Sequence, residues 1–236
     1  MNRWKKTAAL LLVGGVLVLN ICSCSRGESP KLDNGQTEQP VATETATPVP
    51  TEGIILVNCW KPIDESYSVD VRELPNGQKV AAECYAELME MLDDCRGEGL
   101  NPEVCSGFRT IAFQQSLYED KVERVMEEGH VREDAERIAA TEVARPGTSE
   151  HHTGLAVDLI DKDYPVLDET QEQHPTQQWF MKNSWKYGFV LRYPTGKTDI
   201  TGIIYEPWHY RYVGVEAAER MHEQDLCLEE YLERYG

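Results

Sequence analysis

Apolar positions recur at helical spacing along several stretches of the chain. Between 80 and 94, Ala81, Tyr85, Leu88, Met89 and Leu92 mark one face, and Gly97-Glu98-Gly99 follows as a stop signal. A second amphipathic run covers 112–128 and stops at Gly129, and a third covers 132–144, closed by Pro146-Gly147. Helical spacing returns at 177–187 and over 215–235, the last with an acidic face that reads as solvated. Strand-like segments are shorter. Residues 54–60 are β-prone, 104–105 lead into Ser106-Gly107-Phe108-Arg109, and 155–160 alternate. Two more strands are expected at 188–193, ending at Pro194, and at 208–213. Helices come early, strands cluster later, and neither βαβ alternation nor an internal repeat is visible. The expected class is α+β: a small, mostly antiparallel sheet flanked by helices.

The N-terminal end follows another pattern. Arg3, Lys5 and Lys6 precede an apolar run over 8–19, with small residues behind it, which is the layout of a secretory signal peptide over 1–24. The run is too short for a bilayer, which takes about 20 residues. Ile21-Cys22-Ser23-Cys24 resembles a bacterial lipobox, with Cys24 as the lipid-bearing residue. An ordinary cleaved signal and an uncleaved anchor are the alternatives, and all three place the protein outside the cytoplasm. Residues 25–52 are rich in Pro, Thr, Glu and Gln and bury almost nothing, so they read as a disordered tether. The globular part is expected over 53–236 as one domain.

Charge narrows the partners. A net charge of −18 argues against nucleic acid, whose phosphates need a positive field. Cys59, Cys84, Cys95, Cys105 and Cys227 fall in the globular part, and none shows Cys-x-x-Cys spacing. Export permits disulfides. Cys95 and Cys105, flanking a short connection, are the expected pair.

Two segments concentrate residues able to do chemistry. The first is Ser149-Glu150-His151-His152-Thr153-Gly154-Leu155-Ala156-Val157-Asp158. On one helix His151 and Asp158 would lie about 10 Å apart along the axis, and on one strand they would point to opposite sides. Neither lets both reach a metal at about 2.0–2.2 Å. A turn at Gly154, where a glycine backbone permits it, would fold the segment back and put Ala156 and Asp158 on one side of a strand. The second segment is Tyr205-Glu206-Pro207-Trp208-His209-Tyr210, where Pro207 pushes Glu206 toward extended backbone. Glu206 and His209 can then approach one point from a bend and a strand. Two imidazoles, a carboxylate and a spare glutamate match a catalytic zinc site with an open position for water.

His152 would face away from its neighbour. His130, His174 and His222 lack partners at ligand spacing and read as surface residues; Trp208 and Tyr210 read as core or pocket wall. Competing hydrolytic signatures are missing. No serine precedes a lysine by three positions, and neither Gly-x-Ser-x-Gly nor His-Glu-x-x-His occurs. A Cys/His nucleophile is open only on the count of cysteines.

Ser149-x-His151-x-x-Gly154-x-Ala156-x-Asp158, followed by Glu206-x-x-His209, resembles the D-alanyl-D-alanine carboxypeptidase family of zinc peptidases, which includes the VanY-type enzymes. Ser106-Gly107-Phe108-Arg109-Thr110 with Gln114, and Trp185 through Pro194, add to the likeness, which extends from Ile54 to Val213. The resemblance implies a Hedgehog/DD-peptidase-like zinc peptidase fold and one Zn²⁺ per chain held by His151, Asp158 and His209. It implies Glu206 as general base and Arg109 against charge on the substrate or the tetrahedral intermediate; Gln114 and Ser149 are candidate substrate contacts, with a helix-surface and a loop-capping role as their alternatives. The implied substrate is the peptidoglycan stem peptide, from which the terminal D-alanine is removed. Trimming of tetrapeptides by L,D cutting, and a non-catalytic wall- or zinc-binding lipoprotein, are the rival readings. Anchoring to the outer face of the cytoplasmic membrane through Cys24 or a signal anchor completes the expectation.

Overall fold

The structure, a computed structural model, describes residues 51–64 and 66–236. The expected signal peptide, Cys24 and nearly all of the expected tether lie outside the described residues. Strands β1 (Val71–Glu73) and β2 (Lys79–Ala81) pair as a hairpin around Asn76-Gly77. Helix α1 (Tyr85–Gly97), strand β3 (Pro102–Ser106), helix α2 (Ile111–Glu127) and helix α3 (Arg132–Ala139) follow. The second half alternates β4 (Ala156–Asp161), α4 (Pro175–Asn183), β5 (Phe189–Leu191), α5 (Thr198–Thr201) and β6 (His209–Tyr212), then closes with α6 (Val215–Gln224) and α7 (Leu228–Tyr235). The main sheet has the order β3-β4-β6-β5 with every pair antiparallel. This is the α+β class that the sequence predicts.

Pleating sorts the sheet's side chains. Val157 and Leu159 of β4, Tyr210 and Tyr212 of β6 and Phe189 of β5 join Leu88, Met91 and Leu92 of α1 and Phe180 of α4 in the main core. Successive residues of a strand point to opposite faces, so Ala156, Asp158, His209 and Arg211 lie on the other side. All six residues of β4 are nonetheless buried, so that side is covered too. A second apolar cluster joins Val190 to α6 and α7 through Ala217, Ala218, Met221, Leu228 and Tyr231. A third zips α2 to α3 through Tyr118, Val122, Val125, Ala135 and Ala139. Thr110 starts α2 as its N-cap, accepting from the Phe113 N–H at 3.2 Å.

Several expected elements change. Residues 54–60 form no strand beyond one bridge between Asn58 and Lys61. The helix expected from 80 starts at Tyr85, since Val80 and Ala81 belong to the hairpin and the Ala81 N–H donates to the Gly154 carbonyl at 2.8 Å. The helix expected over 132–144 ends at Ala139; Thr141 Oγ1 donates to the Ile138 carbonyl at 2.8 Å, a local bond that competes with helix continuation. The single helix expected over 215–235 is two. Asp225 turns left-handed at φ 52°, and the Glu230 carboxylate caps the restart by accepting from the Cys227 N–H at 2.9 Å. The expected Cys95–Cys105 disulfide is not formed, and all five described cysteines are free. Cys95 faces the core from α1, while Cys105 turns its thiol toward the Asp158 carbonyl at 3.4 Å.

Candidate metal centre and its cleft

The fold-back between His151 and Asp158 is built from a short 3-10 turn, Glu150–Thr153, ending at Gly154 with φ 71°. A Cβ on Gly154 would sit 2.9 Å from the Ala81 nitrogen, so both the backbone angle and the space require glycine. The chain then enters β4, whose register sets Asp158 directly opposite His209 of β6. Directly opposed residues on one face hold their Cβ atoms about 5 Å apart. Antiparallel pairing thus joins residues that are far apart in sequence.

The ligand atoms of His151, Asp158 and His209 all lie within 4.8 Å of one another, and all three residues are buried. His151 Nε2 is 3.3 Å from Asp158 Oδ2, and His209 Nδ1 is 3.1 Å from Asp158 Oδ1. His151 Nδ1 donates to the Gly107 carbonyl at 2.7 Å, which leaves Nε2 bare and aimed at the cluster. Gly107 is pressed against the hairpin, where a Cβ would meet the Lys79 carbonyl oxygen at 2.2 Å. Asp158 Oδ1, fully buried, has no hydrogen-bond partner among the described residues. An orphaned carboxylate oxygen between two imidazoles fits a bound cation, which would satisfy it. Burial pushes the His151 imidazole down to about 4, helped by Arg109, so it is neutral and able to ligate. Burial alone would raise the Asp158 pKa, but His151 and Arg109 hold it well below the usual carboxylate range.

Glu206 stands beside this cluster with Oε2 3.6 Å from His209 Nδ1. Burial, with Asp158 adding, pushes its carboxyl up to about 8 in the metal-free site, against His209 and Arg109. Arg109 donates to Asp158 Oδ2 at 2.5 Å, to Ser106 Oγ at 2.8 Å and to Gln114 Oε1 at 3.4 Å. Gln114 is itself fixed by donating to the Ala144 carbonyl at 2.8 Å. These groups and Ser149 line a cleft of about 400 Å³, walled farther out by Leu117, Lys121, Arg124, Leu167, Ile203 and Trp208. The residues expected to form the site, namely Arg109, Gln114, Ser149, His151, Asp158, Glu206 and His209, all line this one cleft.

His152 is buried, its Nδ1 donating to the Arg109 carbonyl at 2.8 Å and its Nε2 accepting from the Gly147 N–H at 3.2 Å, so it braces the Arg109 loop. Trp208 lines the cleft, and Tyr210 is core. His174 stacks on Tyr164 and His222 on Trp185. Burial pushes the thiols of Cys84, Cys95 and Cys105 up to about 12, which leaves no thiolate for a cysteine nucleophile there.

Sequence reading missed Glu150, Arg192 and Arg211, all buried. Glu150 Oε1 accepts from Arg192 Nε at 2.8 Å and from Arg211 Nη1 at 2.9 Å. Glu229 of α7, expected on a solvated face, instead accepts two bonds from Arg192, at 2.8 and 2.6 Å. Arg211 was open to detection, since it shares a strand face with His209 two residues earlier. Glu150 and Arg192 carry no such signal.

His151, Asp158 and His209 can each offer one ligand atom to a single ion, beside the Glu206 carboxylate and on a small antiparallel sheet, an arrangement that suits a single-metal hydrolase. Residues 77–215 match the model of the VanY D-alanyl-D-alanine carboxypeptidases, and the chain belongs to that family. A D-alanyl-D-alanine carboxypeptidase of Enterococcus faecalis is 43% identical over 180 residues, covering 76% of this chain and 65% of that protein. The chain therefore spans just under two thirds of that relative's length. Among solved structures, the vancomycin-resistance D,D-pentapeptidase VanY from a VanB-type cassette, a mutant in complex with Zn(II), is 43% identical with TM-score 0.70, covering 75% of this chain and 97% of that one. VanYB in complex with D-alanine-D-alanine is 42% identical with TM-score 0.72, covering 77% and 98%.

Proposed function

We propose that the protein is a zinc-dependent carboxypeptidase that removes the C-terminal D-alanine from peptidoglycan stem peptides. The carrying observation is the convergence of His151, Asp158 and His209 within 4.8 Å, in a cleft that Glu206 also lines. Similarity to relatives bound to Zn(II) and to D-alanine-D-alanine supports the choice of metal and bond.

His151 through Nε2, His209 through Nδ1 and the Asp158 carboxylate would hold the ion. When bound, zinc acidifies a water and polarises the scissile carbonyl. Glu206 would take up a proton from the attacking water at its carboxylate and hand it to the departing amine nitrogen. Its burial gives the carboxyl enough proton affinity to carry the proton between the two steps, while a nearby dication pulls its pKa below the metal-free value. Arg109, pinned by Asp158, Ser106 and Gln114, meets negative charge on the substrate or the tetrahedral intermediate. Gln114 acts mainly by fixing Arg109, and Ser149 is the hydrogen-bonding contact for the peptide. The substrate lies in the wall, so the protein works outside the cytoplasm, held at the membrane through Cys24; a Cys24→Ala protein should leave the membrane fraction.

Release of D-alanine from a pentapeptide ending in D-Ala-D-Ala tests the function. A chelator should abolish release, and added zinc should restore it. Preferential cutting of a tetrapeptide would assign L,D activity instead. Zinc binding without release from either peptide would make the protein a binder.

A further inference from the structure

The carboxylate that precedes the first expected ligand is as buried as any group in the protein. Glu150 is 0% exposed, and so are Arg192 and Arg211, the arginines that saturate its Oε1. Its second oxygen, Oε2, has no hydrogen-bond partner among the described residues, and neither has His209 Nε2. These two orphans face each other at 3.7 Å. The other nitrogen of the ring, Nδ1, points the opposite way, toward Asp158 Oδ1 at 3.1 Å and Glu206 Oε2 at 3.6 Å.

An imidazole can ligate through Nδ1 only when that nitrogen is bare, so its proton must sit on Nε2. A buried acceptor in front of Nε2 selects that tautomer and fixes the ring plane. We propose that Glu150 is a positioning residue: it holds His209 as the Nε2–H tautomer, with Nδ1 presented to the metal. The arginines aim the carboxylate rather than merely neutralise it. Arg192 is also gripped by Glu229, and Arg211 donates to the carbonyls of Tyr212 at 2.9 Å and Ile55 at 2.7 Å, so both are held independently of Glu150. Glu150 thus tunes a ligand from behind without touching the substrate. It is one residue from His151 in sequence, yet it serves the other histidine.

The inference rests on the proposed metal centre, and the test separates the two. Zinc affinity of the full chain is measured by competition with a chromophoric chelator, and the visible spectrum is recorded after Co²⁺ replacement. Glu150→Gln keeps the shape but turns an amide N–H₂ toward Nε2, which favours the wrong tautomer. Its zinc affinity should fall about 10–100-fold, with a changed Co²⁺ spectrum. Glu229→Gln, which alters the same arginine but not His209, should bind zinc within about 3-fold of the parent. A Glu150→Gln protein with parental affinity and spectrum would overturn the proposal, as would an equal loss in Glu229→Gln. Should Glu150→Gln not fold, the ¹⁵N shifts of His209 in the zinc-loaded parent decide, assigned by their loss in His209→Gln. Protonated Nε2 with metal on Nδ1 supports the proposal, and metal on Nε2 ends it. A parent protein that binds no zinc would refute the metal centre itself.

Discussion

The two faces of the main sheet are built by the same strands and obey different rules. On one face, Val157, Leu159, Tyr210 and Tyr212 fill the apolar core with α1 and α4. On the other, Asp158, His209 and Arg211 stand among Glu206, Glu150 and Arg192. Both faces are buried. The core face needs volume and apolarity, and its contacts are many and individually weak. The site face needs a specific partner for every group, because an unpaired buried charge costs far more than a lost contact. The first face should therefore govern stability with little effect on turnover, whereas the proposed base beside the second should govern turnover with little effect on stability.

The sharpest separation is expected at Glu206. Replacing it with Ala removes the proposed base and should lower kcat about 10²–10⁴-fold, while zinc content stays at one per chain and Tm does not fall. Parental turnover would exclude Glu206 as the base and erase the contrast between faces. The next effect blurs the contrast on purpose. Arg192→Met leaves Glu150 and Glu229 short of a buried cation, and breaking such a pair should cost about 3–5 kcal/mol in denaturant unfolding. A near-neutral result would mean that Arg211, which donates to Glu150, and Asn58, whose Nδ2 donates to Glu229 Oε1 at 3.0 Å, suffice for the two carboxylates.

The core face supplies the reverse case. Leu159 is 0% exposed, and Leu159→Ala should cost about 2–5 kcal/mol by lost burial and a cavity. Turnover per folded, zinc-loaded molecule should stay near the parental value. If kcat instead fell as far as in Glu206→Ala, the two faces would be mechanically coupled through β4.

What the sequence made legible divides along the same line. The segment 155–160 gives β4 nearly as it stands although both its faces are buried, because Val157 and Leu159 are large and apolar while the intervening Ala156 and Asp158 are small or charged, and the stop at Gly129 gives the end of α2. The turn at Gly154 could be deduced because neither helix nor strand brings His151 to Asp158. The hairpin was missed although Pro75-Asn76-Gly77 is a turn signal, since its strands have only three residues each. The break between α6 and α7 falls on Asp225, a residue that carries no stop signal like that of Gly or Pro. Glu150, Arg192 and Glu229 look like ordinary surface charges in the chain. Only long-range packing buries them, and no local pattern records that.

Adjacent glutamates on α7 bring the comparison down to one turn of helix. Glu229 enters the buried arginine network, whereas Glu230, 25% exposed at its side chain, pairs with Lys197 at 2.8 Å and caps Cys227. The Lys197 bond and the Cys227 N–H both lower the Glu230 pKa from its ordinary value of 4.5. A lowered folded-state pKa means that the stabilisation is complete above about pH 4.5 and drains as pH falls through the folded value. Exposure to solvent limits the whole contribution to about 0.5–1 kcal/mol. The Tm gap between the parent and Glu230→Gln should therefore be small and constant from about pH 5.5 to 8, then close at lower pH as the parent protonates. A gap as large as that of Arg192→Met would show that charge pairing in this helix does not depend on burial, and the distinction between the two glutamates would fail.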